Sequence, residues 1–477
     1  MERLVVKNFG PIKDVNIEIP RLLVFIGDQA SGKSTLGKLI YIFKHVSSLI
    51  PRSSALRGKN GSIDVEEFKR DISSKIKSYF HECFFYKNTE IAFYYTNEYF
   101  VNVSFCASGV VSDFRIEVTL SNKLEKSLND LNQLTAKHYN DRRRIDQEKD
   151  NWKPTVEEIN TWHKMNQIAD TLAHNLGGRS IWEYIDDSRV SSNVPQIGTY
   201  PPDAPAVRRA MVAFIELALG YHNIQKARQR FIKIMSDAYI PPRKFAELFP
   251  TRIKRYEEEA RRISSIIDAK ADIYEILVKL VYRLLGGYVQ IEENKGYGLA
   301  LSDDKASRFI PYEFLSSGQK SGIPLIVCVS LIGSIMSDLP FDLPFNSMVI
   351  EEPETHLYPK KQFLMIKLIA AALAMNTSAK FVITTHSPYI LSSIHALSAY
   401  GRADIEASAP LLKRYDDLVP LGMDKRELGI YLLENGCTHS LRDEQSGLFN
   451  TSKIDAVSNE ITDVLDESIY AWDDEDE

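Results

Sequence analysis

The nine residues GDQASGKST, Gly27 to Thr35, constrain this chain more than any other stretch in it. They follow LLVFI (residues 22–26), a continuous apolar run that predicts a strand buried on both faces. They lead into Thr35–His45, where Leu36, Leu39, Ile40, Ile42 and Phe43 fall at helical spacing. Strand, small-residue loop, helix is the context in which G-x-x-x-x-G-K-[ST] reads as a phosphate-binding loop. The chemistry asks for each part. Backbone N–H groups of residues 29–34 can wrap phosphates at the positive end of a helix. Lys33 can place its ammonium on the β- and γ-oxygens of a nucleotide. Ser34 can ligate Mg²⁺, which prefers hard oxygen ligands. Gly27, Gln29, Ala30, Ser31, Gly32, Lys33, Ser34 and Thr35 are therefore the candidate nucleotide-binding residues.

Two further strand-then-loop segments fit the same site. SMVIEEPETHLYP begins as a largely apolar strand and ends in two carboxylates. Glu351 is expected to reach Mg²⁺ through water. Glu352 is expected to orient and polarise the attacking water, because phosphoryl transfer asks the protein mainly for positioning. FVITTHSP repeats the layout, with His386 at the strand end, where ligands of open α/β sheets bind. His386 is the candidate for contacting the γ-phosphate or the water.

LSSGQ, Leu315 to Gln319, lies about 280 residues after Lys33. It precedes a predicted helix (318–336), so Ser316, Ser317, Gly318 and Gln319 offer a second anion site. One triphosphate does not need two such sites from one chain. Two chains arranged head to tail do, each closing the other's nucleotide.

The set GxxxxGKS, LSSGQ, VIEEPETHLYP and ITTHS resembles ABC-type ATPases of the SMC/RecF/OLD branch, over about residues 1–120 and 287–400. The resemblance implies an α/β P-loop ATPase domain with an antiparallel β lobe, interrupted by a helical, coiled-coil-like arm. It also implies ATP and Mg²⁺ as ligands, and a signature that acts in trans across an ATP-sandwich dimer. Three positions depart from the pattern. Asp28-Gln29-Ala30 replace a Pro-Asn-Gly-like run, Ser317 replaces the first Gly of LSGGQ, and Glu351 replaces Asp. The first two imply altered nucleotide affinity or slow turnover.

The rest of the chain fits that plan. Residues 3–8 and 12–19 predict a hairpin about Gly10-Pro11, and 89–119 a three-stranded antiparallel meander. Residues 121–175 are polar and helical, 180–205 loop-like, and 206–236 and 250–286 helical again. Strands are expected at 288–293 and 298–302. The expected organisation is an N-terminal ATPase part (1–120), a helical insertion (121–285), a C-terminal ATPase part (286–450) and a C-terminal segment with an acidic tail (451–477).

Composition excludes little. Across 477 residues, 44% are hydrophobic and 26% charged, as in ordinary globular proteins. The net charge of −6 gives no global case for nucleic-acid binding. Residues 206–262, however, hold 13 Lys/Arg against 6 Asp/Glu, a local candidate surface for DNA, RNA or an acidic protein. Arg142-Arg143-Arg144 is flanked by Asp141 and Asp146 and reads as solvated. Residues 463–477 hold eight acidic and no basic side chains, a solvated tail or a docking segment. Cys83, Cys106, Cys328 and Cys437 lack metal-pair spacing, and buried thiols in a reducing cytoplasm are expected. No apolar run reaches the ~18 residues that span a bilayer, so no membrane is expected.

Several designs within the branch fit poorly. There is no CxxC for a zinc hook, and residues 121–285 are too few for long SMC arms. Only 91 residues follow His386, with no metal-binding cluster before the acidic tail, so no nuclease domain is expected here. A compact ATPase with a short insertion resembles the ATPase subunits of bacterial anti-phage systems of the PARIS and Septu types. That resemblance implies an ATP-dependent scaffold holding a separate nuclease or toxin, answering to a phage trigger. A RecF-like DNA-maintenance ATPase is the alternative.

Overall fold

The structure is a computed structural model. It describes residues 2–49, 64–106, 115–145, 156–176, 182–185, 271–292, 296–300, 309–311, 314–332, 347–400 and 427–442, with 414, 418 and 449. The basic stretch 206–262 and the acidic tail lie outside the described residues.

Fourteen strands are described, β1 (Arg3–Phe9), β2 (Ile12–Glu18), β3 (Leu22–Gly27), β4 (Phe85–Tyr94), β5 (Phe100–Cys106), β6 (Arg115–Leu120), β7 (Trp182–Ile185), β8 (Tyr288–Glu292), β9 (Gly296–Ala300), β10 (Phe309–Pro311), β11 (Ser347–Glu351), β12 (Lys380–Thr385), β13 (Leu428–Glu434) and β14 (Cys437–Ser440). The helices are α1 (Lys33–His45), α2 (Val65–Tyr79), α3 (Asn122–Ile145), α4 (Val156–Asn175), α5 (Ala271–Leu285), α6 (Ser317–Ile332), α7 (Pro359–Met375) and α8 (Pro388–Tyr400).

Eleven strands form one sheet in the order β6-β5-β4-β1-β2-β14-β13-β3-β12-β11-β7. The β1–β2 hairpin and the β4–β5–β6 meander are antiparallel, as the sequence predicts. From β13 to β7 the sheet is parallel, through β3, β12 and β11. A second sheet, β10-β9-β8, is antiparallel.

The parallel strands read as unbroken apolar runs because both faces are covered. Leu22, Val24 and Ile26 enter one core with α5, α6, α7 and α8. Leu23 and Phe25 enter the other with α1, α2 and the first turns of α3. Met348, Ile350, Phe381 and Ile383 belong to the first core, and Val349 and Val382 to the second. The residue alternation of a strand thus places α1 on one side of the sheet and α6 and α7 on the other.

The insertion differs from expectation in two places. Leu124, Leu128 and Leu131 do form the buried face of α3, against Met165, Ala169 and Leu172 of α4. But β7 lies in the span expected to be loop, and it extends the sheet beyond β11, with Trp182 opposite Ser347. A four-residue strand leaves too short a pattern to see in sequence. Helix α5, at the end of the expected insertion, buries Leu277, Leu280, Val281 and Leu284 in the first core. The thiol expectation also fails in part: Cys83 is exposed and Cys437 only half-buried. Among the described residues no helix is long and apolar enough to cross a membrane.

Strand β13, past the end of the matched motifs, sits next to β3, and Leu433 pairs with Gly27. It turns into β14 at Asn435-Gly436, with φ 53° and 81°. Positive φ at both positions is the two-residue hairpin turn that Asn-Gly favours.

Candidate nucleotide site

The site lies at the carboxyl ends of β3, β11 and β12, where three loops converge. Lys33, at the start of α1, is buried, 4% exposed. Its ammonium donates to the carbonyls of Gly27 (2.9 Å) and Asp28 (2.7 Å), with the Ser31 hydroxyl at 3.5 Å. It also lies 3.4 Å from His386 Nδ1. Burial pushes the Lys33 ammonium below its ordinary value, and Glu352, Asp28, Glu354 and Glu351 push back. The ammonium is buried with its donors on two backbone carbonyls, contacts of the kind a phosphate oxygen can replace.

Glu352 Oε1 lies 3.1 Å from His386 Nε2. The backbone of Glu352 is left-handed, φ 46°, and its N–H donates to Thr384 O (2.8 Å). A non-glycine residue in this region costs of order 1–3 kcal/mol, and such strain concentrates at functional sites. Glu351, the last residue of β11, pairs with Thr384 and is 5% exposed. Glu354, in the turn that follows, accepts from Thr385 Oγ1 (2.7 Å) and from the His386 backbone N–H (2.8 Å).

Most of the predicted residues therefore converge. Lys33, Ser31, Gly27, Glu352 and His386 are joined by direct contacts, while Ser34 and Thr35 sit in the first turn of α1. Asp28, Gln29 and Ala30 are exposed at the loop tip, Ala30 with φ 61°, a left-handed conformation that favours glycine. The donor set fits Mg²⁺: a half-buried serine hydroxyl and a buried carboxylate are hard oxygens, and Mg²⁺ is commonly held by one or two protein ligands plus phosphates and water. Ser34 and Glu351 would hold the ion, which would supply charge to the β- and γ-oxygens. Among the described residues no group of three or more His, Cys, Asp or Glu is arranged to hold a metal ion.

LSSGQ has a local structural role that the sequence reading passed over. Gln319 N–H donates to Ser316 Oγ (3.3 Å), and Ser316 N–H donates to Gln319 Oε1 (3.1 Å). This is a reciprocal capping box, S-x-x-Q, at the start of α6. Gln319 Nε2 also donates to Leu285 O (2.9 Å), closing the end of α5. Gly318 faces the backbone oxygen of His356, 3.6 Å from where its Cβ would stand. The signature thus touches the segment that follows Glu352.

The family model described as "AAA ATPase domain" matches residues 1–391. Endonuclease GajA of Bacillus cereus (strain HuB5-5) is 28% identical over 189 residues, which cover 33% of this chain and 27% of the relative. The chain therefore matches about a quarter of that relative's length. Solved structures include an Smc head bound to the C-winged helix domain of ScpA, 13% identical with a TM-score of 0.37, covering 93% of this chain and 98% of that one. The structure of the recombination mediator protein RecF is 10% identical with a TM-score of 0.29, covering 92% and 97%.

Proposed function

This chain belongs to the AAA ATPase domain family, its fold is an ABC-type P-loop ATPase domain with an antiparallel β lobe, and from that premise we propose that it is the ATP-hydrolysing subunit of a bacterial anti-phage complex. ATP–Mg²⁺ binds on residues 27–35 with Glu351. Glu352 and His386 handle the attacking water. A second copy, arranged head to tail, supplies Ser316 to Gln319 to close the site. The assembly holds a separate nuclease or toxin subunit in the cytoplasm and releases or activates it when a phage trigger arrives.

One observation carries the ATPase part: His386 stands between Lys33 and Glu352, at 3.4 Å and 3.1 Å. Phosphate loop and water-handling carboxylate are thereby linked through one imidazole. The defence part is supported by the motif resemblance and by a relative named as an endonuclease. The basic balance of residues 206–262 favours a second reading, a DNA-maintenance ATPase.

The test is a pull-down of Glu352→Gln with ATP, expressed with its neighbouring genes, recording native mass, bound proteins and bound nucleic acid. A doubled or higher mass with a stoichiometric nuclease-like subunit is the expected result. A protein alone, with ATPase stimulated by DNA and weakened by salt, moves the assignment to the second reading. Full ATPase activity in Glu352→Gln removes Glu352 from its role.

A further inference from the structure

We propose that Glu354 is the positioning residue that holds His386 against Glu352. The inference rests on Glu352 and His386 being the pair that handles water.

The ladder between β11 and β12 ends at Glu351 and Thr384, and that between β3 and β12 at Thr385. His386 is therefore the first residue past the sheet, and the sheet itself does not fix its backbone N–H. Glu354 Oε1 fixes it, accepting from that N–H at 2.8 Å and from Thr385 Oγ1 at 2.7 Å. Thr385 is wholly buried, and its hydroxyl also accepts the Ser387 N–H (2.9 Å). Ser387 Oγ in turn donates to Gln362 Oε1 (2.6 Å) and accepts from Tyr389 N–H (3.2 Å) at the start of α8. One carboxylate oxygen thus holds Thr385 and His386, while Gln362 and the start of α8 hold Ser387.

Glu354 is itself tied to Glu352. Thr355 N–H donates to Glu352 O (3.0 Å), and Leu357 N–H donates to Glu354 O (2.8 Å), so residues 352–357 form one braced turn. The separation of the Glu352 and His386 side chains is then set by a bridge between their two loops. Charge-assisted acceptors are the stronger kind of hydrogen bond, suited to that task. Oε2 of Glu354 is buried with no hydrogen-bond partner among the described residues. A glutamine keeps the Oε1 acceptor but loses the charge and puts an NH2 where Oε2 is buried without a partner, which costs stability, whereas alanine removes the bridge and leaves a buried N–H and hydroxyl without their acceptor.

The experiment is a double-mutant cycle on ATP turnover with wild type, Glu354→Ala, Glu354→Gln, His386→Ala and Glu354→Ala/His386→Ala. Glu354→Ala is expected to lower kcat by roughly 10- to 100-fold, the scale of a catalytic group misplaced by about 1 Å, with KM nearly unchanged. Glu354→Gln is expected to recover most of kcat even where its melting temperature falls. In the His386→Ala background, Glu354→Ala should cost less than about twofold more, because both act through one group. Equal loss in both backgrounds, or a loss confined to KM, overturns the proposal. A second readout does not depend on turnover. The ring signal of His386 in a histidine-labelled protein, identified by its absence in His386→Ala, should shift in Glu354→Ala and stay near wild type in Glu354→Gln. An unmoved signal in Glu354→Ala rejects the positioning role, whereas a wild type without ATP turnover rejects the ATPase reading instead.

Discussion

Gly27 and Leu433 are packed so closely that a Cβ on Gly27 would stand 2.4 Å from the Leu433 carbonyl oxygen. The first residue of the phosphate loop is therefore pressed against a strand contributed from the far end of the chain. Gly27 also has φ +151°, which strains any other residue. Gly27→Ala should weaken ATP binding by about tenfold or more, since 1–3 kcal/mol of strain is of that order. Isothermal titration and a melting curve on the same preparation check it. An unchanged affinity would mean that Leu433 yields.

The same contact predicts that residues 427–442 are part of the ATPase domain. Strand β13 lies between β14 and β3 in the sheet. A chain cut after residue 400 would leave the open edge of β3 without its β13 neighbour and expose Leu22, Val24 and Ile26. Such an edge invites aggregation. The truncated chain is expected to be insoluble or to bind no ATP, judged by size-exclusion chromatography and nucleotide binding. A soluble, ATP-binding truncation would refute the assignment.

Glu2 forms a buried network with Lys44 and Lys380, the latter at 3.1 Å. Burial pushes the Lys44 ammonium down to about 8. Burial would raise the Glu2 carboxyl, but Lys44 and Lys380 together hold it below its ordinary value. Glu2→Gln leaves a buried cation without its anion and should cost roughly 3–5 kcal/mol. The sign of the pH effect follows from the depressed carboxyl. In wild type its stabilisation is present above the unfolded value, near 4.5, and is lost as pH falls through the lower folded value. Glu2→Gln should therefore be less stable at neutral pH and lack that part of the acid loss. Urea midpoints between pH 7 and pH 3 measure both, and parallel curves for the two proteins would count against it.

Ser316 caps α6, and the proposed dimer gives it a second role to separate from that one. As the cap of α6, its hydroxyl accepts the Gln319 N–H. Loss of a serine cap costs about 1 kcal/mol. Ser316→Ala should show that modest loss of stability, and should also lose the ATP-dependent assembly of Glu352→Gln if the signature closes a neighbour's site. Native mass of the double variant with ATP decides between the two roles. Undiminished assembly would leave Ser316 as a helix cap.

The sequence by itself determined the phosphate loop, the strands β3, β11 and β12 and the residues at their ends. Each depends on a short local pattern: five apolar residues before Gly27, paired carboxylates ending β11, His386 ending β12. The antiparallel meander was equally legible, because its alternation is local. Tertiary structure alone decided how those pieces are held. The role of Glu354 was invisible because its partners, Thr385 and His386, lie over 30 residues away and only the parallel pairing of β11 with β12 brings them within 2.8 Å. Strand β13 had a local signal, an apolar run ending at the Asn435-Gly436 turn, but nothing in it says which strand it joins. Likewise α5 shows helical spacing, yet only its packing against α7 makes it core rather than arm. Local propensity writes the elements, and the burial of both faces of one sheet decides their neighbours.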